Sequence, residues 1–308
     1  MTFSPYALFG PAADGSRRTW VWATPFVVVL LMLGGQILFL LPVKLLGLIS
    51  RENIETYPHI LFLIIGAFGM SALLTWAWIR GFEKRSLASV GLTSDANRNR
   101  DYRQGFIIGL VMAAAVVYGV RVMGGYVVES ETGLTFSALA PIVVLLFAFV
   151  LQAGTEEFVF RGWMLSRISE RYGLVAGVVG NSILFTLMHV DAEHLAEIGA
   201  AGIAIFVCGI MLFAVFLSLL VIRDRSIWSA AAWHASWNWM FITWFGLPTT
   251  GIELGLTPLV ADYMPAEGAA IWLTGGTDGP EGSFLTPAVL AIGCIAVWLM
   301  RPARDSAQ

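Results

Sequence analysis

Stretches of about 20 mainly apolar residues recur along this chain, and a helix of that length can cross a bilayer. Eight such spans can be placed, with soft ends: 20–41, 59–79, 105–127, 138–160, 174–190, 198–222, 227–247 and 283–300. The fourth is expected to continue as a helix beyond its apolar part. Of the 308 residues 57% are hydrophobic and 13% charged, against about 25% charged in a soluble domain. This excludes a soluble domain on a single anchor. The expected fold is all-α, a polytopic membrane bundle of about eight transmembrane helices. The first run starts at Trp20 and is longer than a signal-peptide core. No small-x-small cleavage site follows it, so it reads as a retained span.

The basic residues orient the spans. With the N-terminus in the cytoplasm, the inner segments hold Arg17, Arg18, Arg80, Lys84, Arg85, Arg98, Arg100, Arg103, Arg167, Arg171, Arg223, Arg225, Arg301 and Arg304. Arg161 lies deeper on the same side. Lys44, Arg51 and Arg121 fall outside, so 15 of the 18 basic residues are inside. Residues 248–282 carry no Lys or Arg, but hold Glu253, Asp262, Glu267, Asp278 and Glu281 among Gly and Pro, as an outer loop would. The basic loop 80–104 is its inner counterpart, facing anionic headgroups. Both termini are then cytoplasmic, as in a multi-pass protein of a bacterial inner membrane. The net charge of −3 gives no reason to invoke nucleic acid. Cys208 and Cys294 sit in apolar runs and read as buried small hydrophobes. No internal repeat or separate soluble domain is visible. The chain divides into helices 1–3 with the basic loop (1–137), a core of helices 4–7 (138–247), and the acidic loop with the last helix (248–308).

Ionisable groups inside spans cost about 2.5–3.5 kcal/mol each at a helix centre, so those present need a reason. They fall in three places. In GTEEFVFRGW (154–163), Glu157 and Arg161 are four apart and share a helical face, whereas Glu156 points about 100° away. Alone, both glutamates could serve a wet helix end. In LFTLMHV (184–190), Phe185 and His189 share a face. A lone intramembrane His is more often a hydrogen-bonded structural residue. In WHASWNW (233–239), His234 and Asn238 project together, and alone they could be interhelical glue. The tryptophans around them read as packing and interface anchors.

Taken together, the three places coincide. With the hairpin turn at Tyr172–Gly173, Glu156 and His189 lie about 16 residues to either side, each about 24 Å from the turn. The charged stretch 161–171 projects from the apolar slab. His234 lies about eight residues past the basic turn RDRS, so about 12 Å deep. A projection of about 12 Å brings all three to one level. This leaves residues 191–197 at membrane depth, where polar backbone must line water or be covered by protein.

Two chemistries fit this set. In one, Glu156, His189 and His234 hold a divalent metal, zinc before others, with an open position for water. In the other there is no metal. Glu156 with His189 activates a water, while His234 and the Asn238 amide donate to the developing oxyanion. Asn238 suits the second better, since an amide is a poor zinc ligand. H-E-x-x-H is absent, and no Ser or Cys stands in a nucleophile arrangement.

The ordered motifs E-E-x-x-x-R (Glu156, Glu157, Arg161), F-x-x-x-H (Phe185, His189) and H-x-x-x-N (His234, Asn238) resemble those of the CAAX-protease and bacteriocin-processing family. This family, also called CPBP or Abi, includes the Ras-converting prenyl-protein endopeptidase. R-G-W after the glutamates and SLASVGL at 86–92 also resemble family segments. The resemblance implies an eight-helix intramembrane endopeptidase, glutamate- or metal-dependent. It assigns Glu156 and His189 to water activation and His234 and Asn238 to the oxyanion, or several of them to a metal. Glu157 with Arg161, and Phe185, would support these from behind. The expected partners are membrane lipid and a membrane-associated or lipidated peptide. The rival readings are a non-catalytic scaffold or immunity protein of the same fold, and a proton-coupled transporter.

Overall fold

The computed structural model describes residues 8–10, 15–50, 56–130, 136–190, 192–249 and 251–300, without the side chains of 136–138 and 192–197. Arg51, Asp191, Arg301 and Arg304, used in the sequence reading, lie outside the described residues. Nine helices organise the rest: α1 Thr24–Leu45, α2 His59–Phe82, α3 Arg98–Val122, α4 Phe136–Glu157, α5 Leu165–Tyr172, α6 Leu174–Met188, α7 Ala192–Asp224, α8 Trp228–Phe245 and α9 Leu285–Leu299. The chain is an all-α polytopic membrane bundle. Among the described residues, six helical stretches are long and apolar enough to cross a bilayer. The fourth does run on: α4 passes through a π-helical turn, Phe158–Met164, into α5, making one span from Leu139 to Tyr172.

Two of the eight expected spans differ in kind. α6 has only 15 residues, about 22 Å. α8 has 18 residues but falls short of the hydropathy of the six spans. It is instead the centre of the bundle, buried on all sides except at Trp228 and Trp244. α3 makes room for it with small residues spaced four apart. A Cβ on Gly105 would meet the Ser229 carbonyl, and one on Gly109 the Trp233 carbonyl and the Ser236 hydroxyl. Such close backbone approach is what small-xxx-small faces supply in membranes. On the other side, Trp239 Nε1 donates to the Ile142 carbonyl of α4 at 2.9 Å.

The basic segments gather at one end of the bundle. Arg225 reaches the Leu8 carbonyl, Trp228 the Thr93 carbonyl, and the Ile227 N–H the Gly91 carbonyl. Gly91 sits at φ 84°, and Gly162 lies so close to the Val90 carbonyl that a Cβ would clash. Both glycines let the 87–91 turn seat on the helix that carries the glutamate pair. Buried Glu83 ties this end together. Its Oε1 accepts from Thr19 N–H and Oγ1–H, and its Oε2 from Trp163 Nε1 at 3.0 Å and Arg85 at 3.4 Å. Glu83→Gln turns an amide donor toward one set of these donors. It is expected to destabilise the protein by about 1–3 kcal/mol, read as a lower melting temperature in detergent. An unchanged melt would remove Glu83 from this role.

The opposite end is acidic and not purely a loop. The span expected over 105–127 ends as a helix at Val122, and Tyr126–Ser130 (β1) pairs antiparallel with Asp262–Pro265 (β2). Arg121 stacks over the Tyr263 ring at 5.1 Å there. The backbone of 192–198 is helical, and α7 breaks at Gly199 (φ 66°, ψ 174°). The part of the expected irregular stretch that is described, 192–197, is thus a helical segment offset from the main run of α7.

Candidate active site

The end of α4 carries both glutamates into the bundle interior, with Glu156 5% exposed and Glu157 fully buried. They share His234, one at each ring nitrogen, and differ in their other partners, Arg161 for Glu157 and Gln152 for Glu156. Glu157 Oε1 accepts from Arg161 Nη1 at 3.0 Å and from His234 Nδ1 at 2.9 Å. Because a carboxylate only accepts, His234 Nδ1 carries a proton. His234 Nε2 then faces Glu156 Oε2 at 3.7 Å. That is beyond direct hydrogen-bond reach and suited to a bridging water. Glu156 Oε2 has no hydrogen-bond partner among the described residues.

Phe185 explains the second motif. Its ring lies 4.2 Å from the fully buried Arg161 guanidinium and 4.3 Å from the His189 ring. Its carbonyl accepts from His189 Nδ1 at 2.8 Å, one turn on along α6. A carbonyl only accepts, so His189 Nδ1 carries the proton and Nε2 of the neutral ring is left as an acceptor. No hydrogen bond or ion pair joins His189 to Glu156. The two imidazoles and Asn238 instead line one small cavity of ≈ 60 Å³, together with Gln152, Phe213 and Glu281. A water needs at least about 10–15 Å³, so this space admits a few. A larger cavity, ≈ 590 Å³, lies at the acidic end against β1 and β2 and contains none of the motif residues.

Three further groups lie at the site outside the three motifs. Gln152, one turn before Glu156, donates from Nε2 to Glu156 Oε1 at 2.9 Å and accepts from Asn238 Nδ2 at 3.2 Å. Its i−4 position on the glutamate face was the available signal. Phe213 sets its ring edge-on to His234 at 4.8 Å and stacks on Phe185 at 5.9 Å. As one aromatic among many in an apolar helix it gave no signal. Glu281, expected in the outer loop, reaches the cavity wall and accepts from Trp237 Nε1 at 2.9 Å and Thr249 Oγ1 at 2.8 Å.

The donor set can be tested against a metal. Among the described residues, no three His, Cys, Asp or Glu side chains come together in a group able to hold one. Of the three candidate ligands, Glu156 and His234 face one another, whereas His189 is held on its own helix.

The family model described as Type II CAAX prenyl endopeptidase Rce1-like matches residues 138–240, about a third of the chain. That segment contains all three motifs and agrees with the resemblance they carry. No curated protein and no solved structure matches the chain.

Proposed function

From the match of residues 138–240 to the Type II CAAX prenyl endopeptidase Rce1-like family, we propose that this chain is an intramembrane endopeptidase. It hydrolyses a peptide bond of a membrane-associated or lipidated peptide. The observation that carries the reading is the approach of Glu156 Oε2 to His234 Nε2 at 3.7 Å, with His234 itself lining a cavity that admits a few waters. Glu156 takes a proton from water as the oxygen attacks the peptide carbonyl carbon. The carbonyl oxygen becomes an oxyanion and receives hydrogen bonds from His234 Nε2 and from an Asn238 N–H. In that role His234 carries both ring protons, and Glu157 behind it and the oxyanion before it counter the charge while Glu156 holds the water's proton. Collapse of the tetrahedral species breaks the C–N bond, and Glu156 returns its proton to the leaving amine. His189, with Nδ1 fixed on its own helix, offers Nε2 to the same water. No step runs through a metal.

The basic end faces the cytoplasm of a bacterial inner membrane in this reading, so the peptide arrives from the cytoplasmic leaflet. The test is turnover by purified protein in liposomes of a farnesylated C-terminal tail peptide, run in heavy-oxygen water with and without a chelator. Cleavage is expected to place one heavy oxygen in the new carboxylate and to survive chelation. Loss under chelation with recovery on adding zinc would replace the metal-free scheme. Inert protein on this and other membrane-anchored peptides would sink the endopeptidase reading.

A further inference from the structure

Gln152 lies outside the three motifs, yet it joins two of them. It sits one helical turn before Glu156, and its amide bridges α4 to α8 at the cavity wall. The orientation of that amide follows from chemistry. A carboxylate only accepts, so Gln152 must present its NH₂ to Glu156 Oε1. Its carbonyl is then turned to Asn238, which must answer with its own NH₂. Flipping the Gln152 amide sets acceptor against acceptor at 2.9 Å and donor against donor at 3.2 Å, and flipping Asn238 alone sets acceptor against acceptor at 3.2 Å. The Glu156 carboxylate therefore sets the Gln152 amide, and Gln152 in turn sets the polarity of Asn238. With Oε1 of Glu156 occupied, Oε2 is the oxygen left toward His234. With one N–H of Asn238 on Gln152, its second N–H is left as a donor.

We propose that Gln152 is a positioning residue for hydrolysis, aiming Glu156 Oε2 at the water and locking the Asn238 amide as a donor. This rests on the hydrolytic reading of the same site. A purely structural bridge between α4 and α8 would be membrane glue and would not touch turnover.

Gln152→Met keeps the length and removes both hydrogen bonds. Hydrogen bonds to charged groups contribute enough that kcat should fall about 10- to 100-fold, with KM within about twofold. Because part of the effect of Gln152 runs through Glu156 and part through Asn238, adding Gln152→Met to Glu156→Gln should lower the residual rate by less than it lowers the wild-type rate. If Gln152→Met does not fold, Gln152→Ala is read in the same way. A second measurement is independent of turnover. With ¹⁵N-asparagine labelling, an Asn238 side-chain amide proton should exchange slowly in the wild type and quickly in Gln152→Met. A folded variant with wild-type kcat, or a full additive loss in the double variant, overturns the proposal. So does equal exchange in the two proteins. An inert wild type with the expected exchange difference would instead fault the hydrolytic reading and leave the amide lock standing.

Discussion

Glu156→Gln is expected to lower kcat by about 10²–10⁴-fold, the usual contribution of a general base, with no change in melting temperature. The variant is chosen for its shape. A glutamine carbonyl can still accept the Gln152 hydrogen bond that Glu156 Oε1 accepts at 2.9 Å. What it loses is the second carboxylate oxygen, which faces His234 Nε2 and has no hydrogen-bond partner among the described residues. An amide nitrogen in that place cannot take a proton from water. Glu156 makes no contact with Arg161 that the fold needs, because Glu157 occupies that cation. The loss should therefore fall on the rate and not on folding. A Glu156→Gln protein that cleaves within tenfold of the wild type would remove Glu156 as the base.

The largest effect on stability should come from the neighbouring carboxylate. Glu157 and Arg161 are both fully buried, and one oxygen of Glu157 serves Arg161 and His234 together. Glu157→Leu leaves the guanidinium sealed against the Phe185 and Phe160 rings without its ion-pair partner. Breaking one side of a buried pair costs about 3–5 kcal/mol, a large part of the 5–15 kcal/mol typical of a folded domain. The folded yield in detergent should collapse. Combining Glu157→Leu with Arg161→Met removes the stranded cation and should restore the melt. It should not restore cleavage, because His234 still lacks the acceptor for Nδ1. A single Glu157→Leu variant that melts with the wild type would show that this pair does not hold the site.

These two glutamates also show how far the sequence could be read. The 100° offset between adjacent helical residues predicts that only Glu157 pairs with Arg161, and the structure shows that pair, although both glutamates also approach His234. The Tyr172–Gly173 turn was legible because Gly173 takes φ 91° between two helices. The hairpin geometry then placed Glu156 and His189 at one level, but it could not show that His189 turns back to its own Phe185 carbonyl. Strand β1 was lost because Tyr126-Val-Val continues the apolar run of α3 with only Gly124-Gly125 between. The π-helical turn after Glu157 was invisible, since one extra residue per turn leaves composition unchanged. Glu281 reaches the cavity through the tertiary course of an irregular segment, which carries no period to read.

The burial of α8 on nearly all sides has a consequence for how the protein is made. A helix that never meets lipid has no need of an apolar surface, so it can carry His234, Asn238, Ser229, Ser236 and Thr243 at no cost to the finished protein. The cost falls earlier, during synthesis. A segment below the hydropathy of the six spans partitions less readily from the translocon into lipid by itself. It needs the glycine face of α3 and the side of α4 already in the bilayer to receive it. The helix that brings half of the chemistry is thus the one whose insertion depends most on its neighbours. Assembly of the bundle and completion of the site become one event.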